Sequence, residues 1–235
     1  MPVSLLRRLA LQTGGNFGSP KLDLGGCVLY APLWRPDQAG SPFNSKSAYG
    51  VPSHACTVVG ATWGLQGRTF DGSDDKILVP DTASLDITVG AVEFWIKWIV
   101  ATNYRRCFSK GNSDVDVNNF TFEIFLELDV YKMRFRDSVG YASLATTGVP
   151  STTAFQHIVF NHTGAAVQFY VDTVSVLNTA RNGTLTNSSY SVAIGCQGEG
   201  AAYANAIFGE ARIYNRALTA GEIMRNYLAT RWRYQ

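Results

Sequence analysis

The chain has 235 residues, 46% of them hydrophobic and only 16% charged. That is enough apolar material for one large core, and too few charges for a disordered chain or a charged coiled coil. Lys and Arg number 20 against 18 Asp and Glu, a formal net charge of +2, too balanced for a protein whose main partner is a polyphosphate.

The first 26 residues start basic and Leu-rich and then turn to Gly, Ser and Asn. Arg7 and Arg8 break the apolar stretch and no small-residue cleavage site follows, so the segment reads as an arm rather than a secretory signal. No run approaches 18 apolar residues, and no membrane span is expected. After a strand near 27–33, residues 35–56 carry Pro36, Gly40, Pro42, Gly50 and Pro52 and predict a long loop. Loops of that length are usually functional or mobile.

From there the apolar pattern has period two. Strands are predicted near 57–63, 67–71, 76–79 and 91–100. Residues 119–130 read as one long strand, with Phe120, Phe122, Ile124, Leu126, Leu128 and Val130 on one face and Thr121, Glu123, Phe125, Glu127 and Asp129 on a wetter one. Further strands are expected at 131–136, 141–146, 156–162, 167–172, 174–177, 190–195 and 206–214. This is the rhythm of an all-β sandwich. Thr219-Ala220-Gly221-Glu222 fits a capping box, and Ile223, Met224, Tyr227 and Leu228 then recur at helical spacing, predicting a helix at about 220–230 that packs on the sheet. Cys27, Cys56, Cys107 and Cys196 lack metal-finger spacing and read as buried thiols, with disulfides the alternative in an oxidising place.

Five segments carry a resemblance: Phe70-Asp71-Gly72-Ser73-Asp74-Asp75-Lys76-Ile77, Pro80-Asp81-Thr82-Ala83-Ser84-Leu85, Val92-Glu93-Phe94-Trp95-Ile96-Lys97, Phe169-Tyr170-Val171-Asp172 and, nearest of all, Glu210-Ala211-Arg212-Ile213-Tyr214-Asn215-Arg216-Ala217-Leu218. They resemble segments of laminin-G-like, concanavalin A-like lectin/glucanase jelly-roll domains. The order is right over about 27–230. The resemblance implies one jelly roll of two antiparallel sheets over 27–235, with an N-terminal arm over 1–26 and a short C-terminal helix. Three positions depart from the pattern: Phe155 where Trp is usual, Thr173 where a turn Gly is usual, and Gly209 where Asp is usual.

The fold hosts lectins, adhesion modules, glycosidases and passive domains, so function rests on particular residues. Catalytic relatives place E-x-D-x-E on one strand. Here Glu127 and Asp129 begin that pattern, but Tyr131 stands where the second Glu belongs. A Glu123/Glu127 pair on one strand would lie roughly 13 Å apart, against about 5–5.5 Å for a retaining pair, so no catalysis is expected. His54, His157 and His162 sit in no metal-binding run. Asp71, Asp74 and Asp75, with Glu210, are candidate calcium ligands; the alternative is a structural turn, with ion pairs to Arg212 or Arg68. For glycans, Tyr203, Phe125 and Tyr131 are the aromatic candidates, with Glu123, Glu127 and Asp129 beside them. Arg7, Arg8, Lys21, Arg225, Arg231 and Arg233 would make only a modest basic patch, and nucleic acid is disfavoured.

The leading expectation is a non-catalytic surface module of a virus particle, such as a phage capsid decoration or tail-associated protein, at the virion surface or outside the cell. Its partners would be other particle proteins or cell-surface glycans, with homo-oligomers an open option. The alternative is a free-standing microbial carbohydrate-binding or adhesion module, and a minor one is a glycoside hydrolase.

Overall fold

A computed structural model describes residues 21–46, 52–102 and 104–235. Among them sixteen strands build two antiparallel sheets of eight. One runs β14 (Val174–Ala180), β13 (Ala166–Val171), β12 (Gln156–His162), β7 (Gly90–Val100), β16 (Asn205–Tyr214), β5 (Gly67–Asp71) and β4 (Thr62–Gly64), with β1 (Cys27–Ala31) sharing an edge of β16. The other runs β11 (Gly140–Ala145), β10 (Val130–Asp137), β9 (Phe120–Glu127), β8 (Arg106–Gly111), β15 (Val192–Ile194), β6 (Lys76–Val79), β3 (Ala55–Val59) and β2 (Phe43–Asn44). Helix α1 (Ala220–Thr230) lies on the outer face of the first sheet, and no helix among the described residues is long and apolar enough to cross a membrane.

Alternation explains the core. Phe122, Ile124 and Leu126 of β9 point inward with Phe94, Phe108, Phe160 and Phe208. Phe94 of one sheet stacks on Phe108 of the other at 5.6 Å between ring centres, and Phe122 meets Phe160 at 6.1 Å. Such offset pairs add to what burial of their area contributes. All four cysteines are buried and free, as expected; Cys27, Cys56 and Cys107 lie within strands, whereas Cys196 lies just beyond β15.

The outer face of the helix-side sheet is polar yet dry. Glu93 and His157, both fully buried, meet at 2.7 Å; Arg212 Nη1 lies 3.0 Å from the Glu93 carboxylate, which also accepts from the Tyr214 hydroxyl and the Asn226 amide. Helix α1 closes this layer. Its capping box is formed, with Glu222 N donating to Thr219 Oγ1 at 3.2 Å and Thr219 N to the Glu222 carboxylate at 2.7 Å. The buried helix residues are Ile223, Asn226 and Thr230, whereas Met224 is exposed. The expected apolar stripe is therefore corrected: the helix turns a partly polar face inward because the sheet beneath it is polar.

Three other expectations change. The long strand over 119–130 ends at Glu127, because Leu128 and Asp129 take φ of 53° and 60° and close a tight hairpin to β10, which starts at Val130. Positive φ at both central residues is the type I′ geometry that fits the twist of antiparallel strands. The strand near 57–63 is divided at Gly60 into β3 and β4. Strand β8 was not foreseen in the run Arg106-Cys107-Phe108-Ser109-Lys110-Gly111. Of the arm, residues 1–20 lie outside the described residues; Asp23 is docked on the helix through Arg216, Arg225 and the Asn226 amide. Of the long loop, residues 47–51 also lie outside. Its first part is pinned by Arg68, which donates to the carbonyls of Gln38 and Gly40 and to that of Ala61 beyond the loop.

Candidate functional site

The sheet without the helix turns its own polar face outward. Phe125 and Glu123 of β9 stand on it. The guanidinium of Arg106 lies 4.3 Å from the centre of the Phe125 ring, and that of Arg134 4.9 Å from it. Glu123 accepts from Ser113 N at 2.7 Å, Ser113 Oγ at 2.9 Å and the Gln197 amide at 3.1 Å. Above them Asp114 accepts from Arg134 Nη1 at 2.7 Å, Gln197 Nε2 at 2.9 Å and Arg106 Nη2 at 3.1 Å. Burial pushes the Asp114 carboxyl up, but the Gln197 amide and the two guanidiniums outweigh it and leave it below the usual range.

At one end of this face the acidic turn meets the loop that carries Tyr203. Arg105 Nη1 donates to the carbonyls of Gly72 at 2.8 Å and Tyr203 at 2.9 Å, tying the two loops together. Within the turn, Ser73 N donates to Asp71 Oδ1 and Asp71 N to Asp75 Oδ2, each at 2.8 Å. One carboxylate oxygen from each of Asp71, Asp74 and Asp75 lies within 4.8 Å of the others, so the three could hold a metal ion. Burial raises the Asp75 carboxyl; the hydrogen bond from the Asp71 backbone N–H opposes that, and the charges of Asp71 and Asp74 add to the rise. Lys76 sits over the Tyr203 ring and donates to the Glu199 carbonyl at 2.7 Å. Tyr104, exposed, stands on the adjoining segment, where its backbone N–H donates to Leu126 O. The Lys132 ammonium holds the Glu127 carboxyl below its usual range, and a hydrogen bond from Tyr104 adds to that.

The structure thus brings together some of the predicted residues and separates others. Asp71, Asp74, Asp75 and Tyr203 share one rim. Glu210 does not join them: it pairs with Arg212 and accepts from the Trp34 indole on the helix side. Tyr131 is also displaced. It lies opposite Leu126 across the hairpin and so faces the core, where its hydroxyl donates to Gln156 and accepts from the Trp98 indole. Phe125 is on the outer face as expected, but fully buried beneath two guanidiniums. Glu123, Glu127 and Asp129 are not a row on one strand: Glu123 is buried and fully bonded, Glu127 is paired with Lys132 at the strand end, and Asp129 is in the turn. Sequence reasoning missed Arg105, Arg106, Asp114, Arg134 and Gln197. The one available signal was the pair Arg105-Arg106 before the apolar Cys107-Phe108.

The family model described as the concanavalin A-like lectin/glucanases superfamily matches residues 71–224. No curated protein matches the sequence. Among solved structures, the chain is similar to the binding domain of Paraclostridial mosquitocidal protein 1 (16% identity, TM-score 0.64, covering 86% of this chain and 52% of that one). It is similar to the botulinum neurotoxin serotype D binding domain (13%, TM-score 0.64, 87% and 52%). It is also similar to domain 4 of AbnA, an extracellular arabinanase from Geobacillus stearothermophilus solved with arabinotriose (18%, TM-score 0.58, 87% and 98%). The chain spans about half the length of the two toxin domains.

Proposed function

The chain belongs to the concanavalin A-like lectin/glucanase superfamily, and from that premise we propose that it is a non-catalytic carbohydrate-binding or adhesion module, acting at a cell surface or in the extracellular medium. The observation behind this is the pair of hydrogen bonds from Arg105 to Gly72 O and Tyr203 O. They hold a partly exposed phenol ring beside an exposed acidic turn. A ring face of that kind takes the apolar side of a sugar, and carboxylates accept from its hydroxyls. The similar toxin binding domains and the arabinanase domain solved with arabinotriose favour this reading over that of a particle component. Among the described residues Glu123, Glu127 and Asp129 do not line up on one strand, the last lying in the turn after β9, and the non-catalytic half of the proposal rests on that.

The acidic turn is, in this reading, a weak divalent-cation site. Asp71, Asp74 and Asp75 would supply three oxygens of the six to eight that calcium takes, with water supplying others. Arg105 already occupies the Gly72 carbonyl. A glycan array probed with the purified protein, first in calcium and then in chelator, tests the proposal. Saturable binding to one glycan class, lost in Tyr203→Ala, is expected. A blank array in both conditions would sink it and return weight to a particle-bound role.

A further inference from the structure

Resting on that reading, we propose that the glycan is acidic, and that its carboxylate binds in the cradle of Arg106, Arg134 and Gln197 where Asp114 now sits. Three donors converge on the Asp114 carboxylate, at 3.1, 2.7 and 2.9 Å. The cradle is dry and its plug is not: the Arg106 side chain is 2% exposed and that of Asp114 54%. Asp114 comes from the loop between β8 and β9, held locally by its own N–H donating to Asn112 Oδ1. Each guanidinium gives Asp114 a single hydrogen bond, although a guanidinium can grip a carboxylate with two.

Unspent donors remain. Arg106 Nε and Nη1 and Arg134 Nε are buried and have no hydrogen-bond partner among the described residues. Leaving a charged donor unmade inside a protein is costly, so a site that retains three of them is suited to a ligand that uses them. Glu123 does not fill that need. Its oxygens are taken by Ser113 and Gln197, and it lies 3.7 Å from Arg106 Nε and 3.9 Å from Arg134 Nη1, at ion-pair range only. The charge count also favours exchange. Two guanidiniums face two carboxylates, and swapping Asp114 for a sugar acid keeps that balance, whereas a neutral sugar would break it. The Phe125 ring beneath both guanidiniums fixes their planes. The competing view is that Asp114 only braces its loop.

Titration calorimetry on the full chain separates the two, with uronic-acid oligosaccharides (galacturonate, alginate, hyaluronan), the same oligosaccharides with their carboxyls reduced, and an oligoglutamate peptide. The acidic sugars should bind about tenfold or more tighter than the reduced ones, a gap of about 1.4 kcal/mol. Asp114→Ala should tighten that binding by a similar factor, and Arg134→Gln should abolish it with the chain still folded by circular dichroism. Should Arg134→Gln fail to fold, Asp114→Ala decides alone: unchanged or weaker binding means a brace. Equal binding of acidic and reduced sugars, lost in Tyr203→Ala, would overturn the carboxylate inference and leave the carbohydrate reading standing. Failure of every sugar would overturn both, and preference for oligoglutamate would assign the cradle to an acidic peptide.

Discussion

Glu93 of β7 and Arg212 of β16 are register partners with both side chains fully buried, and Arg212 Nη1 lies 3.0 Å from Glu93 Oε2. A buried pair of this kind adds little over an apolar pair of the same volume, but removing one partner strands a charge. Glu93→Gln should therefore destabilise the protein by about 3–5 kcal/mol, read as a lowered midpoint in guanidinium unfolding. Arg212→Met should cost a similar amount, and the double variant less than the sum. Additive losses would mean the two do not act as a pair.

Stability should fall with acid in two stages. Burial lowers the His162 imidazole beneath its ordinary value of 6.5, against the partial opposition of Asp137. The unfolded chain then takes up a proton that the folded chain refuses, so stability is lost as pH drops below about 6.5. Glu93 and Asp137 follow. Burial would raise both, but Arg212 and His157 around Glu93, and Arg181 on Asp137 at 2.7 and 2.8 Å, hold both down. Their contribution is present above the ordinary carboxyl range and is lost as pH falls below it towards their lowered folded values. Unfolding midpoints measured from pH 8 to 3 should show both declines, and His162→Gln should flatten the first.

Restoring two family residues should have opposite effects. Thr173 closes the β13–β14 turn at φ 74°, a β-branched residue where glycine costs nothing, so Thr173→Gly should stabilise by about 1 kcal/mol. At Gly209 even a Cβ would stand 2.3 Å from the Tyr234 ring, which stacks on Trp95 at 4.6 Å. Gly209→Asp should displace that ring and cost about 1–3 kcal/mol. Thermal melts of the two variants shifting in the same direction would refute the account.

If the acidic turn takes a cation weakly, millimolar calcium should raise the melting temperature of chelator-treated protein, since a ligand of the folded state alone stabilises it by mass action. Asp74→Asn should abolish the rise. No shift in the unaltered protein would leave the turn with a structural role only.

The segments that resemble the family made the fold legible, and their positions explain why they did not reveal the ligand. Glu93, Trp95, Glu210, Arg212 and Tyr214 lie between sheet and helix. Asp81 and Asp86, around the Pro80–Leu85 segment, pair with buried Lys110 at 2.8 Å each. These are the joints of the architecture. The hairpin at Leu128-Asp129 was illegible because neither residue is the Asn or Gly that marks such turns, and alternation ran through it unbroken. That miss inverted Tyr131. Strand β8 was hidden because Arg106, Ser109 and Lys110 read as loop chemistry, whereas their polar groups find carboxylates and carbonyls from distant segments. Asp71, Asp74, Asp75 and Tyr203 could be placed in or beside loops from the sequence because turn residues keep their meaning without tertiary context.

The four cysteines make the molecule its own stopwatch. Burial pushes the thiols of Cys27, Cys56 and Cys196 up to about 12 and raises that of Cys107 well above its ordinary value. At neutral pH thiols raised in this way stay protonated, whereas the thiolate is the form that alkylators and oxidants attack. Reagents therefore reach these sulfurs only when the sandwich opens. The rate at which an alkylating agent marks each one clocks the opening of the segment that holds it, and the covalent structure is the same in a reducing or an oxidising medium for as long as the sheets stay shut.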